Sequence, residues 1–183
     1  KLNVATDVSG IVTEIAVIEN QKVTRDQVLF RLDEEPYRIA LAGAEAQLRT
    51  ARNEIATLQA TYRQSLAQIE QAKTDVAFYQ TSFERQQDLS RRGVSSQAGL
   101  DQAKRDLNAA QERMNVAKQQ AEAALAQLGG RSDAELQTYA RVQQAQAQVD
   151  EAERDLAHTI VKARMAGIVS NVSALERGEY MPG

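Results

Sequence analysis

The chain offers few side chains that could perform chemistry. Its 183 residues include one histidine, His158, and no cysteine. One imidazole is too few for a histidine-based metal centre, and without thiols neither a thiolate metal site nor a disulfide can form. The sequence also contains no phosphate-binding loop, nucleophile elbow or metal-ligand motif. We therefore expect no enzyme activity, no cofactor and no bound metal.

A second group of residues could bind a partner. Phe78, Ser82, Arg85 and Leu89 follow one another in steps of four, three and four, which places them on one stripe of a helix. Apolar side chains grouped on an otherwise polar surface often mark a contact with another protein. Plainer interpretations stay open, since Leu89 could close the end of the helix against Val94, and Arg85 could simply be solvated.

The stripe belongs to a segment with a strict seven-residue repeat. Such a seam predicts a coiled coil with a left-handed supercoil. On this register Phe78 and Arg85 occupy c positions and Leu89 a g position, all off the seam. Ser65 and Gln86 are polar and are expected to weaken the seam locally. The seam consists of Leu41, Leu48, Ile55, Tyr62, Ile69, Val76 and Phe83 at a, with Ala44, Ala51, Leu58, Ser65, Ala72, Tyr79 and Gln86 at d.

A turn is expected after Arg92. Gly93 suits the left-handed residue that ends many helices, and Ser95 or Ser96 suits the N-cap of a following helix. Because the connection is short, the two helices must run antiparallel. The first helix would cover roughly 55 residues, or about 80 Å at 1.5 Å per residue.

The return arm repeats the pattern with smaller residues. Gly129-Gly130 interrupts it, and the spacing from Ser132 to Glu135 is that of a capping box, which predicts a new helix starting there. The repeat then resumes in the same phase. Its members are Leu100, Leu107, Met114, Ala121 and Leu128, then Val142, Val149 and Leu156, with Ala103, Ala110, Ala117, Ala124, Ala145 and Ala152 as partners.

Strand-like segments lie at both ends of the chain. Gly-Ile-Val occurs at residues 10–12 and again at 167–169, and the similarity continues beyond the tripeptide. An antiparallel hairpin brings its ends together, so the two segments are expected to meet in one small β domain. Gly10 is expected to mark a turn or bulge, and Asp26 a tight turn.

This order of elements resembles the periplasmic adaptors, or membrane fusion proteins, of bacterial efflux pumps and type I secretion systems, of the HlyD and EmrA type. Residues 8–12, 19–23 and 28–33 are similar to the first half of their lipoyl-like domain, and 156–163 with 167–169 to the second half. Asp26, Arg164 and Ala166 stand where that family usually has Gly, Pro and Asp.

The resemblance implies an α+β fold in which a long antiparallel α-helical coiled-coil hairpin is inserted between two halves of a small lipoyl-like β-sandwich. The expected half-domains are 1–35 and 158–183. The expected hairpin is 36–157, with its tip at about 90–96 and a break at about 129–133.

A motif at the tip is similar to that of adaptors that engage a TolC-type outer-membrane channel. It consists of Arg85, Leu89 and Ser96, followed by Leu100-Asp101-Gln102-Ala103. The resemblance implies that the first three face the helical tips of the channel. Ser96 could be an N-cap and a contact at once. Phe78 is a candidate for a further contact, either with the channel or with a neighbouring copy of the chain.

The function implied by the resemblance is that of a periplasmic adaptor subunit in a tripartite pump. Such a subunit forms a homo-oligomer and bridges an inner-membrane transporter to the channel, with the transporter class left open among major-facilitator, ABC and RND types. It is periplasmic, and we expect an inner-membrane anchor in a segment outside this chain. The net charge of −3 gives no basic footprint for nucleic acid.

Two alternatives belong to other classes. A lipoyl or biotin carrier needs a lysine on the turn that joins its two halves, but that position holds Asp33-Glu34-Glu35-Pro36. A plain coiled-coil interaction protein would share the heptads, yet it has no need of paired β segments.

Overall fold

The structure, a computed structural model, describes residues 6–170, 172, 178, 180 and 181; the rest of the predicted second β segment lies outside the described residues. Three strands come first, β1 (Gly10–Ile15), β2 (Lys22–Val23) and β3 (Val28–Leu32), followed by helices α1 (Glu35–Arg91) and α2 (Gln97–Gln127). A 3-10 helix (Leu136–Thr138), helix α3 (Ala140–His158) and strands β4 (Ile160–Lys162), β5 (Gly167–Ile168) and β6 (Tyr180–Met181) complete the order. The α+β class, with helical arms between β segments, is confirmed.

The chain divides into two compact units. One contains the described residues up to Ala51 and from Ala140 onward, and the other contains Arg52–Tyr139. The first unit holds all the described strands and the helix residues closest to them. The second holds the turn between α1 and α2 and the interruption that precedes α3.

Each Gly-Ile-Val segment pairs with a strand from the opposite end of the sequence. The order in the four-stranded sheet is β4-β3-β1-β6, and β2 pairs with β5 in a second sheet, with every pairing antiparallel. Ile11 of the first copy lies opposite Tyr180, and Ile168 of the second copy lies opposite Lys22. Each copy therefore pairs with a strand from the other end of the sequence, which confirms that the two ends meet.

The core of this β unit lies around β1 and β3. Val12 and Leu32 are its most buried apolar side chains, each 1% exposed. Gly10 begins β1 instead of forming a turn, and the bulge falls later, between Val12 and Glu14. A Cβ at Gly10 would lie 3.3 Å from the Leu32 Cβ, so glycine allows the close approach. The other buried core members are Val8, Val17, Val23, Leu29, Phe30, Val161 and Ala163.

Asp26 forms the tight turn that the sequence predicts. Its φ of +67° lies in the left-handed region, where Asp is one of the tolerated residues. Its backbone N–H donates to the carbonyl of Ala163 at 2.8 Å. Asp26 therefore adopts the turn conformation although the family usually has glycine at this position.

The predicted seam is confirmed in both units. Every predicted a and d residue of α1, α2 and α3 is buried or half-buried. Ser65 is buried, and its hydroxyl donates to the Thr61 carbonyl at 3.1 Å, so the polar atom is satisfied within its own helix. Polarity at this d position is thus tolerated without an unpaired group.

The interruption in the return arm is longer than the sequence predicts. Helix α2 ends in a turn in which Gly129 and Gly130 have φ of +66° and +77°, and the Gly130 N–H donates to the Leu125 carbonyl at 3.0 Å. The helix start predicted at Ser132 is wrong, since α3 begins at Ala140.

Side chains from elsewhere in the second unit explain the missing helix turn. The side-chain amide of Gln59, on α1, donates to the carbonyls of Ser132 and Ala134 at 3.4 and 3.2 Å. The buried Tyr139 hydroxyl donates to the Arg131 carbonyl. These carbonyls are therefore bonded to side chains, and a helix that needed them would lose those bonds.

Candidate partner-binding site at the hairpin tip

Backbone hydrogen bonds hold the turn at the end of α1. Gly93 has φ of +74°, the conformation in which glycine lacks the steric penalty of other residues. The Val94 N–H donates to the Leu89 carbonyl and the Gly93 N–H to the Ser90 carbonyl, both at 2.9 Å. This pair of bonds is the Schellman motif, so the predicted glycine stop is confirmed.

A side-chain bond crosses the same turn. The Ser95 hydroxyl donates to the side-chain oxygen of Gln86 at 2.9 Å. Gln86 is half-buried at the last d position of α1. A polar residue is suited to this seam position because its side chain accepts a hydrogen bond from the loop. Gly99 lies against this loop, since a Cβ there would be 3.2 Å from the Ser95 hydroxyl oxygen.

Ser96 is the N-cap of α2. Its backbone is extended, and its hydroxyl accepts a hydrogen bond from the Gly99 N–H at 3.3 Å. Of the two serines that the sequence offers for this role, Ser96 caps the helix and Ser95 bonds back to α1. The structure thus gives Ser96 a local task, and its contact with a partner stays a prediction.

The other predicted site residues differ in exposure. Arg85 is exposed, whereas Leu89 is half-buried, so Leu89 does not present a fully exposed apolar surface as its outer position suggested. Phe78 is 68% exposed, and its ring meets the Tyr79 ring edge-on at a centroid distance of 5.3 Å. The structure therefore places these residues along one end of the second unit, with different amounts of surface available.

Val94 enters the sequence prediction only in the alternative in which Leu89 closes the end of the helix against it. Its side chain is 73% exposed, so it does not close the hairpin against Leu89; only its backbone N–H bonds there. Arg92, beside it, is also exposed. Arg92 and Val94 flank the predicted turn glycine, Gly93. That position is the signal in the sequence that places both residues at the tip.

Asp7 lies in a small group of polar side chains in the first unit. Across the described residues, no group of three His, Asp or Glu side chains could hold a metal ion. His158 Nδ1 lies 3.7 Å from a carboxylate oxygen of Asp7, which also lies 3.4 Å from the Arg164 guanidinium. Within the same residues, none of the helices is long and apolar enough to cross a membrane.

Two curated proteins are similar in sequence to this chain. The multidrug resistance protein MdtN of Escherichia coli O6:H1 is 30% identical over 136 residues, which cover 70% of this chain and 40% of the relative. A UPF0194 membrane protein of Yersinia enterocolitica is 35% identical over 122 residues, covering 64% of this chain and 37% of the relative. The chain thus spans about two fifths of the length of these curated relatives.

Solved structures show the same fold. MacA from Actinobacillus actinomycetemcomitans matches with a TM-score of 0.54 at 20% identity, over 99% of this chain and 45% of its own. The soluble domain of LipC, a membrane fusion protein of a type I secretion system, matches with a TM-score of 0.52 at 13% identity, over 100% of this chain and 95% of its own.

The family itself is shown by a sequence model. The model described as EMRA, alpha-helical hairpin domain, matches residues 36–159, well over half of the chain. That range covers all three α-helices apart from the first residue of α1. The chain therefore belongs to the EmrA family of membrane fusion adaptor proteins.

Proposed function

We propose that this chain is the hairpin and lipoyl-like part of a periplasmic adaptor anchored at the inner membrane, which bridges an inner-membrane transporter to a TolC-type outer-membrane channel. Contact with the channel is made by the tip, through Arg85, Leu89 and Ser96. The observation that carries this proposal is a tip whose turn is fixed by the Schellman bonds, the Ser95–Gln86 bond and the Ser96 cap.

A fixed turn favours recognition because little conformational entropy is lost when it binds. Arg85 adds an exposed guanidinium one turn before Leu89, and a guanidinium can bond a carboxylate through two N–H groups. The half-buried Leu89 offers an apolar edge beside it. Helical tips that fit into grooves of another helical protein are a recurring mode of recognition.

The relatives support an export role for the whole protein. One curated relative is named a multidrug resistance protein, and LipC is described as a membrane fusion protein of a type I secretion system. Multidrug efflux through a transporter of the major-facilitator, ABC or RND class is therefore the export function that we propose.

The contact with the channel is tested by crosslinking in cells. The chain has no native cysteine, so one introduced thiol is its only thiol. Cysteines at Arg85 and at the exposed Gln97 should each crosslink to the periplasmic end of the channel. Ser96 is avoided because its hydroxyl caps α2. A cysteine at Val116, 51% exposed on α2, is the control and should not crosslink.

Loss of function gives a second test of the same contact. Leu89→Asp should abolish channel engagement and export while helicity, measured by circular dichroism, stays unchanged. Unchanged export by this variant, together with no crosslink from Arg85 or Gln97, would contradict the assignment of the tip.

Self-association is supported by a different surface. From position 53 to position 81, every c and f residue of α1 is exposed and uncharged. Three threonines among them donate their hydroxyls to carbonyls of their own helix, so those hydroxyl hydrogens need no water. Two copies of the chain can approach each other at this face because it carries no like charges that would repel. This uncharged face consists of Asn53, Thr57, Ala60, Gln64, Ala67, Gln71, Thr74, Phe78 and Thr81.

Phe78 is the largest apolar side chain of this uncharged face, so we assign it to contact with a neighbouring copy in preference to the channel. Phe78→Ser should lower the weight-average mass in sedimentation velocity at high protein concentration. Val116→Ser on α2 is the matched control and should leave it unchanged. An identical mass for wild type and Phe78→Ser would assign Phe78 to another role.

A further inference from the structure

The tip carries a feature that the Arg85, Leu89 and Ser96 motif does not include. Val94 is the most exposed large apolar side chain in the described part of the chain. Its backbone is nonetheless fixed, because its N–H donates to the Leu89 carbonyl and it lies between left-handed Gly93 and the bonded Ser95. An apolar side chain held outward on a fixed turn costs little ordering entropy to bury in a partner.

The turn around Val94 carries cations. Residues 89–100 contain two arginines and no acidic residue, and this stretch is flanked by Glu84, Asp88 and Asp101. Arg91 lies 4.0 Å from Asp88 and is partly offset by it. Arg85 and Arg92 have no ion-pair partner in the described part of the chain, so both guanidiniums are available to a partner.

We infer that Val94, Arg85 and Arg92 form a recognition surface for a protein that presents an apolar pocket with carboxylates at its rim. Val94 enters the pocket, and the two guanidiniums bond the carboxylates. This inference rests on the proposed function, in which the partner is the end of the channel, and it adds two residues and a partner chemistry to it. Arginine is among the residues enriched in binding hot spots, which lie in well-packed pockets closed to water.

The features of the tip favour a protein over other polyanions. Two free guanidiniums are fewer cations than nucleic acid binding normally uses, and the described tip has no aromatic side chain on which a base could stack. Anionic lipid would bind a larger cluster of cations than this one. Complementary charge around an apolar anchor instead sets the orientation and association rate of two proteins.

The inference is tested by direct binding of the full-length adaptor to purified TolC-type channel in nanodiscs, measured by biolayer interferometry. Val94→Ser and Arg92→Gln should each weaken binding about tenfold, and Arg92→Glu more. Raising salt should weaken wild-type binding more steeply than that of Arg92→Gln, because fewer charges remain to be screened. Val116→Ser and Arg63→Gln, exposed residues away from the tip, are matched controls and should bind as wild type.

The outcomes separate this inference from the proposed function. Wild-type affinity in Val94→Ser and Arg92→Gln, with Leu89→Asp still defective, overturns the inference and leaves channel docking in place. No binding by wild type overturns both. Binding to anionic phosphatidylglycerol vesicles but not to the channel also overturns the inference, since the cations would then serve a membrane surface. Circular dichroism and thermal melting of each variant should match wild type.

Discussion

The Ser95 hydroxyl donates to the side-chain oxygen of Gln86 at 2.9 Å, which joins the loop after α1 to the last d position of that helix. The bond ties a seam residue to the loop that carries Val94 and Ser96. Disturbing either partner should therefore affect both the end of the coiled coil and the surface presented by the tip.

A double-mutant cycle measures this bond. Ser95→Ala and Gln86→Ala should show a coupling free energy of about 0.5–1.5 kcal/mol in urea unfolding, the usual net contribution of a neutral hydrogen bond. Hydrogen exchange at the Val94 and Ser95 N–H groups should accelerate in either single variant. Strictly additive effects on the free energy of unfolding would show that the two side chains act independently.

Two glycine-to-alanine substitutions should change the free energy of unfolding in opposite directions. Gly93→Ala should destabilise the protein by about 1–2 kcal/mol, because φ of +74° is unfavourable for a residue with a Cβ. Gly43→Ala lies within α1, where a Cβ meets nothing within 4 Å, and should stabilise by about 0.5–1 kcal/mol. Denaturant unfolding of both variants checks the contrast, and equal signs would contradict the role of Gly93.

The loss of stability on truncating a seam residue should depend on how deeply its side chain is buried. Leu107→Ala, at a buried a position of α2, should cost about 2–5 kcal/mol through lost burial and the cavity left behind. Phe83 is only half-buried, so Phe83→Ala should cost less than the roughly 3–5 kcal/mol typical of a fully buried Phe. The exposed Val116→Ala is the control and should change the free energy of unfolding by less than about 0.5 kcal/mol.

The loop before α3 should depend on Gln59. Gln59→Leu leaves the Ser132 and Ala134 carbonyls without their side-chain donor and should cost about 1–3 kcal/mol, with faster hydrogen exchange across residues 131–139. Tyr139→Phe removes the bond to the Arg131 carbonyl and should act in the same direction. Gln64→Leu, an equal change at an exposed c position of α1, should leave exchange in this loop unaltered.

Much of this fold follows from local sequence patterns. The seven-residue repeat identifies the seam because one face of each helix must bury its apolar residues, and Gly93 and Ser96 identify the turn because backbone conformation and capping are local requirements. The repeated Gly-Ile-Val indicates that the ends meet, although not that each copy pairs with a strand of the other half.

The differences between sequence and structure arise from packing that local patterns do not specify. The capping-box spacing at Ser132 predicts a helix, but Gln59, 73 residues away, bonds the carbonyl groups that such a helix would use. The exposure of Leu89 and Val94 could not be ranked from position alone. Their burial depends on how the turn packs, and heptad position does not specify that.

The reciprocal pairing of strands has a consequence for how the β unit forms during synthesis. β1 and β3 can pair early, because few residues separate them, but β4, β5 and β6 emerge only after both helical arms. Closing so long a loop is slow, so the outer edges of the early hairpin stay unpaired while the arms are made. The fast, local formation of the helices shortens that interval, because it brings the two halves of the sheet together.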